Sequence, residues 1–410
     1  MTAKALIILM VIISSLYTVV LNIAKRRSAG NPTPENLADV YDAETYEKWK
    51  KYSAEHCKLE LIFCIVGLVA NLVMLITNVY ASFAYLFPKT VFMQLLAVVL
   101  LETAVSTVIS VVQGYVSTMI IEQKYGFNRS TVKTFVGDCI RSLILELLFA
   151  LGIALLIAEF HMMMGAWMIV LFAAVVFGVT VLISFLYPVF SRIGNKFTPL
   201  EDGELKERLV ALLDKYGYRV KAIEVMDASR RTTKLNAYFT GFGKMKTIVL
   251  FDNLIEAMSP DEICAIFAHE LGHGLHKDVL KSQILNIGNL LLMAVVAWGA
   301  ASIPQLYWQF GFMYVNYGFT YVLLGIGLSV LRPLVSLLTN AHSRIAEYRA
   351  DRQAVTEGYG EAMITAFKKL AQNNLVNLAP SKLNVVLEYS HPPLDRRVAE
   401  VEKAMQEQAK

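Results

Sequence analysis

Residues Ala265–Asn286 read AIFAHELGHGLHKDVLKSQILN, a histidine-rich stretch that runs directly into an apolar one. Within it, His269-Glu270-Leu271-Gly272-His273 is an H-E-x-x-H. On a helix, positions i and i+4 share a face, with Cβ atoms about 5–6 Å apart. Two imidazoles so spaced can bind one Zn²⁺ at about 2.0–2.1 Å each. Glu270 then stands beside the metal, placed to take a proton from its water. The start of this helix is marked upstream: Ser259 can cap, Pro260 fits the first helical position and Glu262 completes an S-x-x-E capping box. The pattern needs no break before the apolar residues beyond Asp278, so one continuous helix is expected to join a metal site to a membrane span.

The rest of the chain has the composition of a membrane protein. Its 410 residues are 56% hydrophobic and 18% charged, with a mean hydropathy of +0.49, against about 45–50% apolar and about 25% charged in soluble domains. Crossing about 30 Å of hydrocarbon takes roughly 20 apolar residues. Seven stretches qualify: Ala5–Ile23, Leu59–Phe87, Val91–Met119, Leu143–Phe160, Trp167–Phe190, Val279–Ala300 and Phe319–Leu338. The second is long enough to tilt or protrude. Lysine and arginine concentrate in alternate loops: Lys25, Arg26, Arg27, Lys48, Lys50, Lys51 and Lys58 in the first, Lys124, Arg129, Lys133 and Arg141 in the third. By the positive-inside rule the odd loops and the C-terminus face the cytoplasm and the N-terminus faces out. The Lys25-Arg26-Arg27 cluster follows the first span and no small-residue cleavage site closes it, so that span is expected to be an uncleaved anchor.

The net charge of +4 sits largely in those cytoplasmic loops, which gives no reason to expect a nucleic-acid partner. Cys57, Cys64, Cys139 and Cys264 form no C-x-x-C and are expected to be reduced, mostly buried thiols. Asn128-Arg129-Ser130 is a glycosylation triplet on a loop expected to be cytoplasmic, and is therefore silent.

Two cytoplasmic regions can fold. The first, 191–278, is expected to be α+β. Leu205, Leu209 and Leu212 keep the stripe of a core-facing helix. Ile223–Met226, Leu235–Thr240 and Thr247–Asp252 read as strands, with a hairpin turn at Gly241-Phe242-Gly243-Lys244. An extended substrate could add a strand beside either of the last two. The second region, 340–410, continues the seventh span and carries a helix over Glu361–Leu375.

A catalytic zinc needs a third protein ligand and an open position. Val279 stands where a third histidine six residues past His273 would be, and His276 is too close in sequence, a surface or outer group. The better candidate is Glu347 in Ser343-Arg344-Ile345-Ala346-Glu347-Tyr348-Arg349-Ala350-Asp351. Asp351, one turn on, can accept the other ring N–H of a zinc histidine and so fix its tautomer.

HELGH, S-R-x-x-E-Y-x-A-D at Ser343–Asp351, Asn236-Ala237-Tyr238-Phe239, IVLFDNL at Ile248–Leu254 and SHPPLDRR at Ser390–Arg397 together resemble the type I CAAX prenyl endopeptidases. These are integral-membrane zinc proteases of the a-factor-converting-enzyme kind. EQKYGFNRST at Glu122–Thr131 and FTPLEDGELKERL at Phe197–Leu209 are similar to that family's segments, so the resemblance covers nearly the whole chain. It implies a mainly α polytopic membrane protein: seven transmembrane helices around a water-filled intramembrane chamber, with a cytoplasmic gluzincin-type zinc protease domain. It further implies one Zn²⁺ per chain held by His269, His273 and Glu347, with Glu270 as general base. Asn236 then lines the substrate cleft and Arg397, near the active site, is a substrate-binding residue, while His391 acts in catalysis as a donor to the developing oxyanion. Glu102, Glu146, Glu159 and Arg332, costly against lipid, fit a wet cavity. The implied reaction is hydrolysis after a prenylated C-terminal cysteine, releasing the last three residues of a peptide or protein partner within the bilayer. The membrane is then the endoplasmic reticulum's in a eukaryote or the cell membrane in a bacterium. Two other readings fit the same residues: a quality-control protease without a prenyl requirement, and a non-enzymatic polytopic scaffold or transporter.

Overall fold

A computed structural model of the protein describes residues 2–192, 194–240 and 247–410. The turn expected at Gly241–Lys244 lies outside the described residues. Six stretches are long and apolar enough to cross a membrane. The largest, Val132–Phe190, spans 59 residues and consists of two helices, Val132–Met164 and Met168–Phe190, turning at Gly165 with φ 53°. The others are Ala3–Ser28, Ala43–Ile76, Val91–Glu122, Asp278–Ala301 and Tyr317–Thr356. Lys25, Arg26 and Arg27 fill the last turn of the first helix, where their charge also meets the negative end of the helix dipole.

Leu59–Phe87, expected as one long span, is broken. The helix that begins at Ala43 ends at Ile76. Asn78 adopts the left-handed conformation, φ 58°, and a separate short helix follows at Val79–Ala84. Lys4 holds this corner, its Nζ donating to the Ile76 carbonyl at 3.0 Å and to Asn78 Oδ1 at 2.7 Å.

A four-stranded sheet stands beside the helices: β1 (Phe197–Pro199), β2 (Ala222–Met226), β3 (Ala237–Thr240) and β4 (Thr247–Phe251), in the order β1-β2-β4-β3. β1, which carries a proline and few apolar residues, has no strand signature in the sequence and was not expected. β4 pairs parallel with β2 and antiparallel with β3. Bonded on both sides, β4 cannot accept a further strand, so of the two edges considered for an added substrate strand only β3 remains. The amphipathic helix is Glu204–Lys215. Its Leu209, Leu212 and Leu213 pack with Ile248 and Leu250 of β4 and with Ile263, Phe267 and Leu271 of the HELGH helix.

That helix, Pro260–Leu275, opens with both halves of the Ser259–Glu262 capping box. Its opposite side, at Ala265 and Ala268, packs against Phe367, Val398 and Val401 of the C-terminal helices. Burial on two sides makes it a rigid axle; each fully buried large apolar side chain contributes about 1.5–3 kcal/mol. The 40-residue helix Tyr317–Thr356 lies across it, burying Ala346, Glu347, Ala350 and Asp351. Gly272 allows the crossing, since a Cβ there would stand 3.0 Å from Ala350 Cα and from Gln353 Cβ.

The continuous helix expected between HELGH and the next span is absent. The chain breaks at His276-Lys277 and restarts at Asp278. His276 Nδ1 bonds the Gly272 carbonyl at 2.8 Å, satisfying an end group of the first helix. Lys277 takes φ 56°, a left-handed conformation that costs roughly 1–2 kcal/mol for a residue with a side chain.

Candidate metal centre

His269 and His273 project from one face of the axle helix, their rings 4.8 Å apart between centroids and nearly perpendicular at 87°. Glu347 reaches them from the crossing helix. Its Oε2 lies 3.6 Å from His269 Nε2 and its Oε1 lies 3.4 Å from His273 Nε2. Ligand atoms of the three residues all lie within 4.8 Å of one another.

Each imidazole is oriented from behind. His269 Nδ1 meets Asp351 Oδ1 at 2.8 Å, as the one-turn spacing from Glu347 predicts. Arg397 donates to both oxygens of Asp351, at 2.9 and 2.6 Å, reaches Glu347 Oε2 at 3.2 Å, and stacks 4.2 Å over the Phe367 ring. His273 Nδ1 meets Asp278 Oδ2 at 3.1 Å. This second contact was not legible in the sequence, because only the helix break brings Asp278 round. Arg349, which holds Asp278 Oδ1 at 2.8 Å, was missed for the same reason. His276 bonds the Gly272 carbonyl of its own helix at 2.8 Å.

The charges fit a divalent cation. Glu270, Glu347, Asp351 and Asp278 bring four carboxyl groups. Arg397 and Arg349 offset two of them, with Lys281 only on the rim, 3.8 Å from Asp278. Burial raises the Glu347 carboxyl, but His273's hydrogen bond and Arg397's charge outweigh it and hold it low, at about 2. Burial likewise opposes a charge on His273, yet Glu347 and Glu270 together raise it to about 9. With the protein's own groups alone, a proton sits where a cation would compete for the ring nitrogen. Buried Glu347 Oε2 makes no hydrogen bond, with Arg397 3.2 Å and His269 Nε2 3.6 Å away. Glu270 is raised mainly by burial, with His269 and His273 pulling the other way.

A cavity of about 340 Å³ opens onto these groups, and Asn236, Glu270, Phe367, Tyr389, His391 and Arg397 are among its walls. The exposed His391 stands 3.3 Å from Glu347 Oε1, its Nδ1 bonded to Ser390 Oγ at 2.9 Å. Asn236, just before β3, accepts the Ala237 amide on its Oδ1 at 3.0 Å and lines this space. Of the sequence-predicted residues, Asn236, His269, Glu270, Glu347, His391 and Arg397 line this pocket, and His273 and Asp351 contact Glu347 and His269. Further cavities of about 480, 480 and 200 Å³ lie between the spans and share walls at Ser14, Ser15, Asn71, Glu102 and Gln113. Glu102, Glu146 and Arg332 line them as expected; Glu159 does not.

Helices of membrane-spanning length joined to a buried two-histidine, one-glutamate cluster define a multi-pass membrane metalloprotease. The chain belongs to peptidase family M48, whose profile matches residues 199–405. A second profile, described as CAAX prenyl protease N-terminal, five membrane helices, matches residues 22–192. CAAX prenyl protease 1 of Saccharomyces cerevisiae is 30% identical, over 89% of this chain and 87% of its own length. A CAAX prenyl protease 1 homolog of Oryza sativa is 28% identical over 96% of both chains. Among solved structures, the crystal structure of S. mikatae Ste24p aligns with a TM-score of 0.91 at 28% identity, covering 98% of this chain and 99% of that one.

Proposed function

We propose that this protein is a zinc endopeptidase that cuts the peptide bond after a prenylated C-terminal cysteine and releases the last three residues. In this reading His269, His273 and Glu347 hold one zinc ion. The observation that carries it is their spacing: a tetrahedral zinc with bonds of about 2.0–2.1 Å separates its ligands by about 3.4 Å, and Glu347 lies 3.6 and 3.4 Å from the two Nε2 atoms. Zinc in this pocket would polarise the scissile carbonyl and lower the pKa of its water toward 7. Glu270 takes the proton as the water attacks and delivers it to the leaving amine. His391, on the exposed side of Glu347, donates to the oxygen on which negative charge develops. Asp351 positions His269, and Arg397, expected to bind substrate, lines the cavity while also holding Asp351 and Glu347 in place. The substrate main chain runs along β3, with Asn236 at the cleft's edge.

The membrane arrangement in this reading has seven spans, the cytoplasmic ends carrying the sheet, the HELGH helix and the C-terminal helices. The basic loops at Lys25–Lys58 and Lys124–Arg141 support that orientation. The connected polar cavities support a water-filled chamber that lies against the bilayer and receives the substrate. Mass analysis of a synthetic farnesylated CAAX peptide incubated with the purified protein tests the reading. Loss of the three terminal residues, abolished by a chelator and restored by zinc, is the expected result. Equal turnover of the same peptide without its farnesyl group would sink the prenyl requirement and leave a general membrane protease.

A further inference from the structure

We infer that Asp278 is a positioning residue of the metal centre, fixing the tautomer and ring orientation of His273 from the first turn of the following membrane helix. The inference rests on reading His269, His273 and Glu347 as metal ligands. A carboxylate on Nδ1 accepts that nitrogen's proton and leaves the Nε2 lone pair for the metal. Asp278 is 6% exposed, too buried for a bystander at a helix start. Its Oδ2 lies 3.1 Å from His273 Nδ1 while Arg349 takes Oδ1 at 2.8 Å.

The other histidine has the same backing in the same order. His269 meets Asp351, and Asp351 meets Arg397. The two arms therefore form a pair: histidine, carboxylate, arginine. The guanidinium behind each carboxylate neutralises it, so the arms contribute direction more than net charge. They differ in origin. Asp351 and Arg397 belong to the crossing helix and the C-terminal helix Leu394–Gln408. Asp278 belongs to Asp278–Ala301, which is of membrane-spanning length.

The chain break is what makes the second arm. Along an unbroken helix, a residue five places on points about 140° away from its reference, so Asp278 would face away from His273. Lys277, at φ 56°, redirects the chain and swings Asp278 back. Arg349 lies two residues beyond Glu347 on the crossing helix and locks the returned carboxylate in place. The seat of one metal ligand thus depends on how the membrane helix docks.

Zinc affinity of the full-length protein in detergent, titrated against a chromophoric chelator after metal removal, tests this. Asp278→Ala is expected to bind zinc roughly ten- to hundredfold more weakly than wild type. Asp278→Asn, whose amide oxygen still accepts from Nδ1, should lie closer to wild type. With Co²⁺ in place of zinc, the visible spectrum of Asp278→Ala should shift and that of Asp278→Asn should not. Affinity of Asp278→Ala within about twofold of wild type overturns the inference. Should that variant not fold, Arg349→Gln takes its place: weaker zinc binding supports the arm, and unchanged affinity overturns it. Wild-type protein that takes up no zinc overturns the metal-ligand reading itself.

Discussion

The metal pocket and the cavities between the spans both keep carboxylates away from bulk solvent, but they hold them differently. In the pocket, Glu347 and Asp351 face a guanidinium and an imidazole each. In the cavities, Glu60 does pair with Lys25 at 2.9 Å, but Glu102 is bonded by the Tyr80 hydroxyl and Glu146 by Ser106 Oγ at 3.0 Å. Fixed charge pairs set a geometry; hydroxyls leave a wall polar without committing it to one ligand. A rigid site thus sits next to an accommodating space, and the following outcomes would break or sharpen that contrast.

The largest effect is expected at Glu270. Glu270→Gln should lower turnover about 10²–10⁴-fold while metal analysis still finds one zinc per chain. If zinc is lost with activity, Glu270 belongs to the binding set and the division of roles fails. Next comes Arg397. Arg397→Leu strands Asp351 and Glu347 without their guanidinium, and breaking such a buried pair costs about 3–5 kcal/mol, readable as a lowered denaturation midpoint of the metal-free protein. Glu102→Gln is the matched cavity variant. Its amide oxygen still accepts from Tyr80, so the midpoint should move by less than about 1 kcal/mol. Equal losses at the two positions would erase the distinction.

A third outcome concerns packing in the last turn of the HELGH helix. A Cβ on Gly274 would clash with Tyr218 Oη and stand 2.6 Å from its Cζ. Gly274→Ala should therefore cost about 1–3 kcal/mol, recovered in part by adding Tyr218→Ala. The smallest effect is a pH slope at the far end of the same helix. Burial raises Glu262, but Lys369 and the Ser259 N–H outweigh it and hold its folded value low. A depressed carboxylate stabilises above its unfolded value, about 4.3, and loses that contribution as pH falls through the lower folded value. Denaturation at pH 6 and pH 3 should show Glu262→Gln lacking about 1 kcal/mol of the wild type's acid-induced loss, the worth of a typical cap.

Much of this was readable before any coordinates. Periodicity and capping gave the axle helix, and one-turn spacing gave Glu347 and Asp351 together. What escaped notice has a common cause. Asn78 and Lys277 both break helices from a left-handed conformation, at residues with no glycine or proline to announce it. Such turns are decided by what packs around them: Lys4 at one corner, and at the other the buried Asp278 with Arg349. The partners of His273 were invisible for that reason. Arg397, by contrast, was found through family resemblance; from spacing alone, nothing linked residue 397 to residue 351.

One consequence follows from β3 lying last in the sheet, at the lip where Asn236 and Ala237 meet the cleft. A guest chain laid along such a border is gripped through amides that every residue possesses. Grip of that kind is deaf to spelling. Discrimination among cargoes must then come from bulk and oiliness elsewhere on the molecule, so scrambling the letters around the cut should matter less than removing what trails from it.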